Sequence, residues 1–411
     1  MRGLRALILG VFAAGLGFSA FAAETETVRP EVGKPLQEAQ KLITERKYKE
    51  ALDKVRVAEG VKDKSAYESF ATLQTRGQAA RGAGDYDTAV KSFEAVLGSD
   101  RLQGKERLSF IGEIAVDYYS LKDYPKAIQA AQRYFKEGGA DNQIHTVVAQ
   151  SYYLTGDYAN AAKELQAQIL AEEKANQAPP ENQLIMLADA AHRQKDDAAY
   201  AAALEKLVSR YPKKDYWINL IAELRRKPGF PARLELDADR LKLAVGAVRG
   251  PEDYLETAQL ALAEALPGEA RQTVEKGYAA GVLGSGTEAE RHKRLRDLAV
   301  KKAAEDEKTL GQSVKEASSQ KSGNALVNTG QDYIGHGQFD RGIGLIEQGI
   351  GKGDLKFPED AKLHLGIAYL NAGQKAKAVK EFETVQSQTG QGNDAVHGLA
   401  RLWALYAKQA S

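Results

Sequence analysis

Apolar and small residues recur along this chain in rows spaced i, i+4 and i+7. Leu73, Gly77 and Ala80 form one row, and Ile111, Ala115 and Tyr118 another. Ala89, Phe93 and Val96 repeat the spacing, as do Ala127, Ala131 and Tyr134. That spacing puts each row on one face of a helix. Clear runs of strand-type alternation are missing. Good helix formers, chiefly Ala, Leu, Glu, Lys and Gln, dominate the composition, and hydrophobic residues make up 43% of it. The pattern predicts amphipathic helices from end to end.

A short turn separates the rows. It reads Gly84-Asp85-Tyr86-Asp87-Thr88-Ala89, then Lys122-Asp123-Tyr124-Pro125-Lys126-Ala127, then Gly156-Asp157-Tyr158-Ala159-Asn160-Ala161. Weaker copies end at Ala51, Ala270, Gly342 and Ala378. The early steps between these closing residues are 38, 38 and 34, and the last is 36. A self-similarity of that period marks an array of helix–turn–helix units. The residue before each Asp ends one helix, and the Asp caps the next. The small residue four positions after the Asp lets two helix backbones approach. An aromatic four residues later, Phe93 or Phe382, fills the neighbouring gap.

These residues resemble the tetratricopeptide repeat family, with its small residues at repeat positions 8, 20 and 27. The match is good over 65–175 and 323–390 and recognisable at 34–60. In the unit at 181–212 the bulky Tyr200 takes a small-residue position, which predicts an opened or one-residue-shifted pair. The stretch 215–320 departs further, with a returning helix from Ala232 to Ala244 and two charged helices over 287–320. The resemblance implies an all-α chain: an α-solenoid, coiled as a right-handed superhelix, of about ten helix–turn–helix pairs. A final helix from Asp394 to Gln409 would cap its apolar end. The expected divisions are 1–22, an N-terminal array over 23–175, divergent pairs over 176–322, and closing units with the cap over 323–411.

Residues 1–22 read as a cleavable export signal. Arg2 and Arg5 precede an apolar stretch from Leu7 to Phe18, and Ala20-Phe21-Ala22 sets small residues for cleavage between Ala22 and Ala23. The apolar stretch is shorter than the roughly 20 residues that span a bilayer, and no later segment is apolar enough to do so. A periplasmic location follows as an expectation. The chain has no Cys, which excludes disulfides and thiolate metal sites. The formal charge is only +1, so nothing equips the chain to hold a nucleic-acid backbone.

Catalytic signatures are not evident, and the chain is expected to have no enzymatic activity and no cofactor. None of the six His pairs with another ligand at metal-type spacing in a recognisable pocket, so no metal site is expected. His145 sits at a core-type repeat position. Gly344 to Gly353 looks like a phosphate loop but lacks its glycine spacing and its Ser or Thr, and reads as a helix stop. The resemblance implies a concave face lined by the first helices. Residues about 100° round from the buried row would face that groove. They are Gln78, Arg81, Tyr119, Gln150, Tyr153, Asp189, His192, Gln259 and Gln331, flanked by Arg193. Amides, tyrosines and cations suit an extended or helical peptide. The function expected from this resemblance is an envelope scaffold or adaptor that binds a protein or peptide partner. Exported repeat proteins of Gram-negative bacteria, some linked to TonB-type machinery, offer the nearest likeness. The alternatives are a structural subunit that assembles through an apolar stripe on the last helix, Leu399, Leu402, Trp403 and Tyr406, or an envelope enzyme with its site in 215–320.

Overall fold

The computed structural model describes residues 27–387 and 394–409, so the export signal expected at 1–22 lies outside the described residues. Among these residues the secondary structure is helical, with no strand. The chain divides into two compact units at 156/157, so the seams expected near 175 and 322 both fall inside the second. The first unit contains α1 (Pro30–Thr44), α2 (Tyr48–Glu59), α3 (Ala66–Gly82), α4 (Tyr86–Leu97), α5 (Gly104–Ser120), α6 (Tyr124–Lys136) and α7 (Asn142–Leu154). The second begins with α8 (Tyr158–Lys174), α9 (Glu181–Arg193), α10 (Asp197–Arg210), α11 (Lys214–Arg226), α12 (Glu235–Ala244), α13 (Pro251–Ala263) and α14 (Pro267–Ala279). It continues with α15 (Ala289–Glu307), α16 (Leu310–Ser319), α17 (Asn324–Gly335), α18 (Phe339–Lys352), α19 (Pro358–Asn371), α20 (Lys375–Ser387) and α21 (Asp394–Gln409).

The turn signature does what its residues dictate. Gly84, Lys122, Gly156 and Lys195 all adopt left-handed backbone, with φ of 81°, 62°, 83° and 58°. Each is followed by an Asp whose carboxylate accepts a hydrogen bond from the backbone N–H three residues on. The distances are 3.2 Å for Asp85, 3.3 Å for Asp123, 3.2 Å for Asp157 and 2.9 Å for Asp196. The Lys195–Asp196 copy shows that the unit with Tyr200 keeps its register and is not shifted by a residue. The pair is not opened either, since α9 and α10 remain in close contact. Tyr200 is only half-buried, and the buried row of α10 begins at Ala203. Gly353 ends α18 with φ 75°, so the phosphate-loop look-alike is a helix stop.

Within a pair, an aromatic of the second helix seats on a glycine of the first. A Cβ on Gly77 would lie 2.3 Å from the Phe93 ring, and one on Gly366 would lie 2.5 Å from Phe382. Both rings are fully buried. Phe93 also meets Phe110 of the next pair edge-on, with centroids 5.2 Å apart, so one ring joins two successive units. Ala51, Ala89, Ala127 and Ala161 are all fully buried where the sequence places a small residue.

The second unit departs from a simple stack. α14 packs directly on α17, with the Gln272 side-chain amide donating to the Gly335 carbonyl at 2.9 Å. Between them, α15 lies against α14 and α16 against α17, so these two helices form a bracket in place of a repeat pair. α21 packs on α19 and α20 and also reaches back to α11 and α12. Arg401 pairs with Glu205 at 2.7 Å, and Gln409 donates to the Val208 carbonyl at 2.7 Å. Leu399, Leu402 and Trp403 are thereby buried within the chain itself. The apolar stripe expected to drive self-assembly is therefore already covered.

α12 is an interior helix. Leu236, Asp237, Ala238, Asp239 and Leu241 are all buried. Its charges are matched by neighbours. Arg240 meets Asp237 at 2.6 Å and Glu269 of α14 at 2.5 Å, and Asp239 meets Arg225 of α11 at 2.7 Å. His364 of α19 lies 2.9 Å from Asp237, and Arg233, just before α12, binds Asp360 of α19 at 2.6 Å. Burial drives the Asp237 pKa upward, but His364 and Arg240 outweigh it and hold the carboxyl below the usual range.

Candidate binding face and polar clusters

The residues expected to face a partner fall into two groups. In the first unit, Gln78 and Arg81 on α3, Tyr119 on α5, and Gln150 and Tyr153 on α7 are all half-buried. The neighbouring row on each helix supplies the core. Tyr118 packs against the cluster of Phe93, Phe110 and Ile114, and Tyr152 against Ala131, Ile144 and Val148. Tyr118 and Tyr152, expected in the core, are themselves half-buried, as are Tyr119 and Tyr153. Tyr119 rests on Tyr124, at the start of α6, with ring centroids 5.7 Å apart. Burial, then the nearby Tyr124, pushes its phenol above the usual range.

Arg81 is already engaged. Its Nε lies 3.0 Å from Asp117 Oδ1, and an Nη lies 3.4 Å from Glu113 Oε2. Asp117 is fully buried, and neither of its oxygens has a hydrogen-bond partner. Burial pushes its carboxyl up to about 7; Arg81 pulls against that shift, and Glu113, one turn away, adds to it. Glu113 is shifted in the same direction, also chiefly by burial. This part of the face is close to neutral, not cationic.

In the second unit the expected residues are dispersed. Asp189 and Arg193 pair with each other at 2.5 Å on α9, and the Arg193 guanidinium sits 5.2 Å from the Tyr158 ring. His192 is exposed, with its ring 5.0 Å from Tyr200. Gln259 is exposed on α13. Gln331 faces inward, and its side-chain oxygen accepts from Arg240 at 3.4 Å. The tight winding of this unit around α12 turns that first-helix position into an internal contact.

Histidines behave in three ways. His145, expected at a core position, is only half-buried and stacks on Phe135 with centroids 4.2 Å apart. His292 is buried, and its Nδ1 accepts from the Gly284 N–H at 3.1 Å. His336 is the exception to the expectation that no histidine has metal-type spacing. It sits one turn after Asp332 at the end of α17, and its Nε2 lies 2.8 Å from Asp306 Oδ2 on α15. Asp332 and His336 at i, i+4 were visible in the sequence, but Asp306 joins them only through the α15–α16 bracket.

Family models of the tetratricopeptide repeat match residues 113–179, 184–214 and 327–393. No curated protein sequence matches the chain. Among solved structures, the C-terminal part of a TPR repeat-containing protein from Cytophaga hutchinsonii is similar at 15% identity. That alignment covers 65% of this chain and 93% of the other, with a TM-score of 0.37. A tetratricopeptide repeat protein from Parabacteroides merdae is similar at 12% identity, over 82% and 99%, with a TM-score of 0.31. Yeast Tom70 is similar at 11% identity, over 92% and 96%, with a TM-score of 0.25. Capped turns, glycine-seated aromatics and the three matched segments together identify tetratricopeptide repeats over 113–179, 184–214 and 327–393 of this chain.

Proposed function

We propose that this protein is a non-catalytic scaffold of the cell envelope, and that it binds a peptide or helix of another protein through the first-helix face of its first unit. One observation carries the reading. Tyr119 and Tyr153 occupy equivalent places on successive first helices and lie beside, not within, the rows that build the core. Half-buried tyrosines supply rigid apolar area with a polar tip, which is what interface anchors need. Gln78 and Gln150 add donors and acceptors for a bound backbone. The second unit supports the fold more than the face, since its inward positions are spent on internal pairs such as Arg240 with Gln331. The same internal pairing weighs against an enzyme site in 215–320, because Arg225, Asp237, Asp239 and Arg240 neutralise one another. Export to the periplasm with cleavage after Ala22 belongs to this proposal, and the mature N-terminus isolated from cells tests it directly. A chain still starting at Met1 would remove the envelope setting.

The binding test compares wild type with Tyr119→Ala combined with Tyr153→Ala, and with Tyr118→Ala. Partners captured from envelope extract are identified, and their affinities measured with purified components. The double variant should keep its helix content and melting temperature and lose at least about tenfold in affinity. Tyr118→Ala should melt earlier instead, since its ring packs on the core. Unchanged affinity in a folded double variant defeats the proposal.

A further inference from the structure

Asp306, Asp332 and His336 stand apart from the other polar clusters among the described residues. Each offers one ligand atom, and these atoms lie within 4.8 Å of one another. The His336 side chain is 1% exposed, Asp332 13% and Asp306 24%, so the group is sheltered yet reachable from the Asp306 side. His336 Nε2 lies 2.8 Å from Asp306 Oδ2 and 3.9 Å from Asp332 Oδ1. Asp332 Oδ1 is buried and has no hydrogen-bond partner. The ring is held in place by α14, where a Cβ on Gly268 would lie 2.7 Å from His336 Cδ2.

The charges at this cluster do not balance. Among the described residues, His336 is the ion-pair partner of both carboxylates, and neither pairs with Lys or Arg. The α12 cluster is built differently, with Arg225, Arg233 and Arg240 each supplying a fixed positive charge to an acid. Two sheltered carboxylates side by side call for a cation or a proton between them. An imidazole nitrogen with two carboxylate oxygens is a donor set that borderline divalent ions favour over magnesium or calcium. Donors about 2.0–2.2 Å from a tetrahedral zinc ion sit roughly 3.3 Å apart. The observed 2.8 and 3.9 Å bracket that spacing, so small side-chain rotations would complete it.

We propose that Asp306, Asp332 and His336 bind a divalent ion of the zinc class, which ties the end of α15 to the end of α17. The ion would balance the acid pair and fix the α15–α16 bracket against the stack, with water completing its coordination. Its role would be structural, in the manner of a clip between two segments remote in sequence.

The test uses the full-length protein, stripped with chelator and titrated with zinc chloride. Bound metal is read by equilibrium dialysis and elemental analysis. Wild type and Asp197→Asn, which changes an exposed carboxylate elsewhere, should each retain about one zinc per chain. Asp306→Asn, Asp332→Asn and His336→Gln should each bind at least about tenfold more weakly. Millimolar magnesium should not displace the ion. Zinc should also slow amide hydrogen exchange across 300–316 in wild type and not in Asp306→Asn. If His336→Gln fails to fold, the two Asn variants decide the matter, since Asp306 is partly exposed and both changes are nearly isosteric. The proposal is overturned if wild type holds no zinc after dialysis, if the three variants bind it as wild type does, or if magnesium displaces it readily.

Discussion

Asp117 provides a direct test of the electrostatics of the first unit. Its carboxyl is fully buried beside Arg81 and Glu113, and burial pushes it up to about 7 from its ordinary 3.8. The folded chain therefore holds a proton at this site over a pH range in which the unfolded chain has released it. Stability then falls as pH rises from about 4 to about 7, and levels off above. Holding the proton across that range is worth at most about 4 kcal/mol, an upper bound because Arg81 and Glu113 remain partly hydrated. Asp117→Asn keeps the shape and removes the titration. The stability difference between Asp117→Asn and wild type should therefore grow in favour of the variant by about 2–4 kcal/mol between pH 4.5 and pH 8. Urea unfolding of both proteins at several pH values measures this, and acids remote from Asp117 cancel in the difference. A difference constant to within about 0.5 kcal/mol across that range would refute the reasoning. Arg81→Gln supplies a second arm. Removing the cation that pulls the carboxyl down should destabilise the protein more at pH 8 than at pH 5.

Two packing predictions follow from the repeat. Gly77→Ala must displace the buried Phe93 ring and should cost about 1–3 kcal/mol, and Gly366→Ala should cost a similar amount against Phe382, both read from the urea midpoint. Equal midpoints in wild type and variants would show that the rings seat elsewhere. Ala161→Leu adds three carbons at a fully buried contact and should destabilise by about 1–3 kcal/mol; an unchanged midpoint would mean that the small residue is not at a helix–helix contact.

The pairing of helices was legible because it rests on interactions that span only a few residues. A left-handed residue followed by Asp makes its cap with the N–H three positions on, so the turn is written in consecutive letters. The same holds for Gly77 and Phe93, whose spacing repeats with the turn. What covers each outer face was not legible in the same way. Glu235, Asp237, Asp239, Arg240 and Lys242 look like a solvated helix face in sequence, yet α12 is interior, and its partners Glu269, Gln331 and His364 come from far along the chain. A buried ion pair and an exposed one use the same letters. The stripe on α21 could be recognised as apolar, but not that α11 and α12 would bury it. Asp332 and His336 share a helix face by spacing alone, whereas Asp306 arrives only because α15 and α16 fold outward and let α14 meet α17. Local hydrogen bonds and helical period are set within a turn or two of chain. Which stacks close upon which depends on small angles added over many helices, and only the assembled tertiary structure decides that.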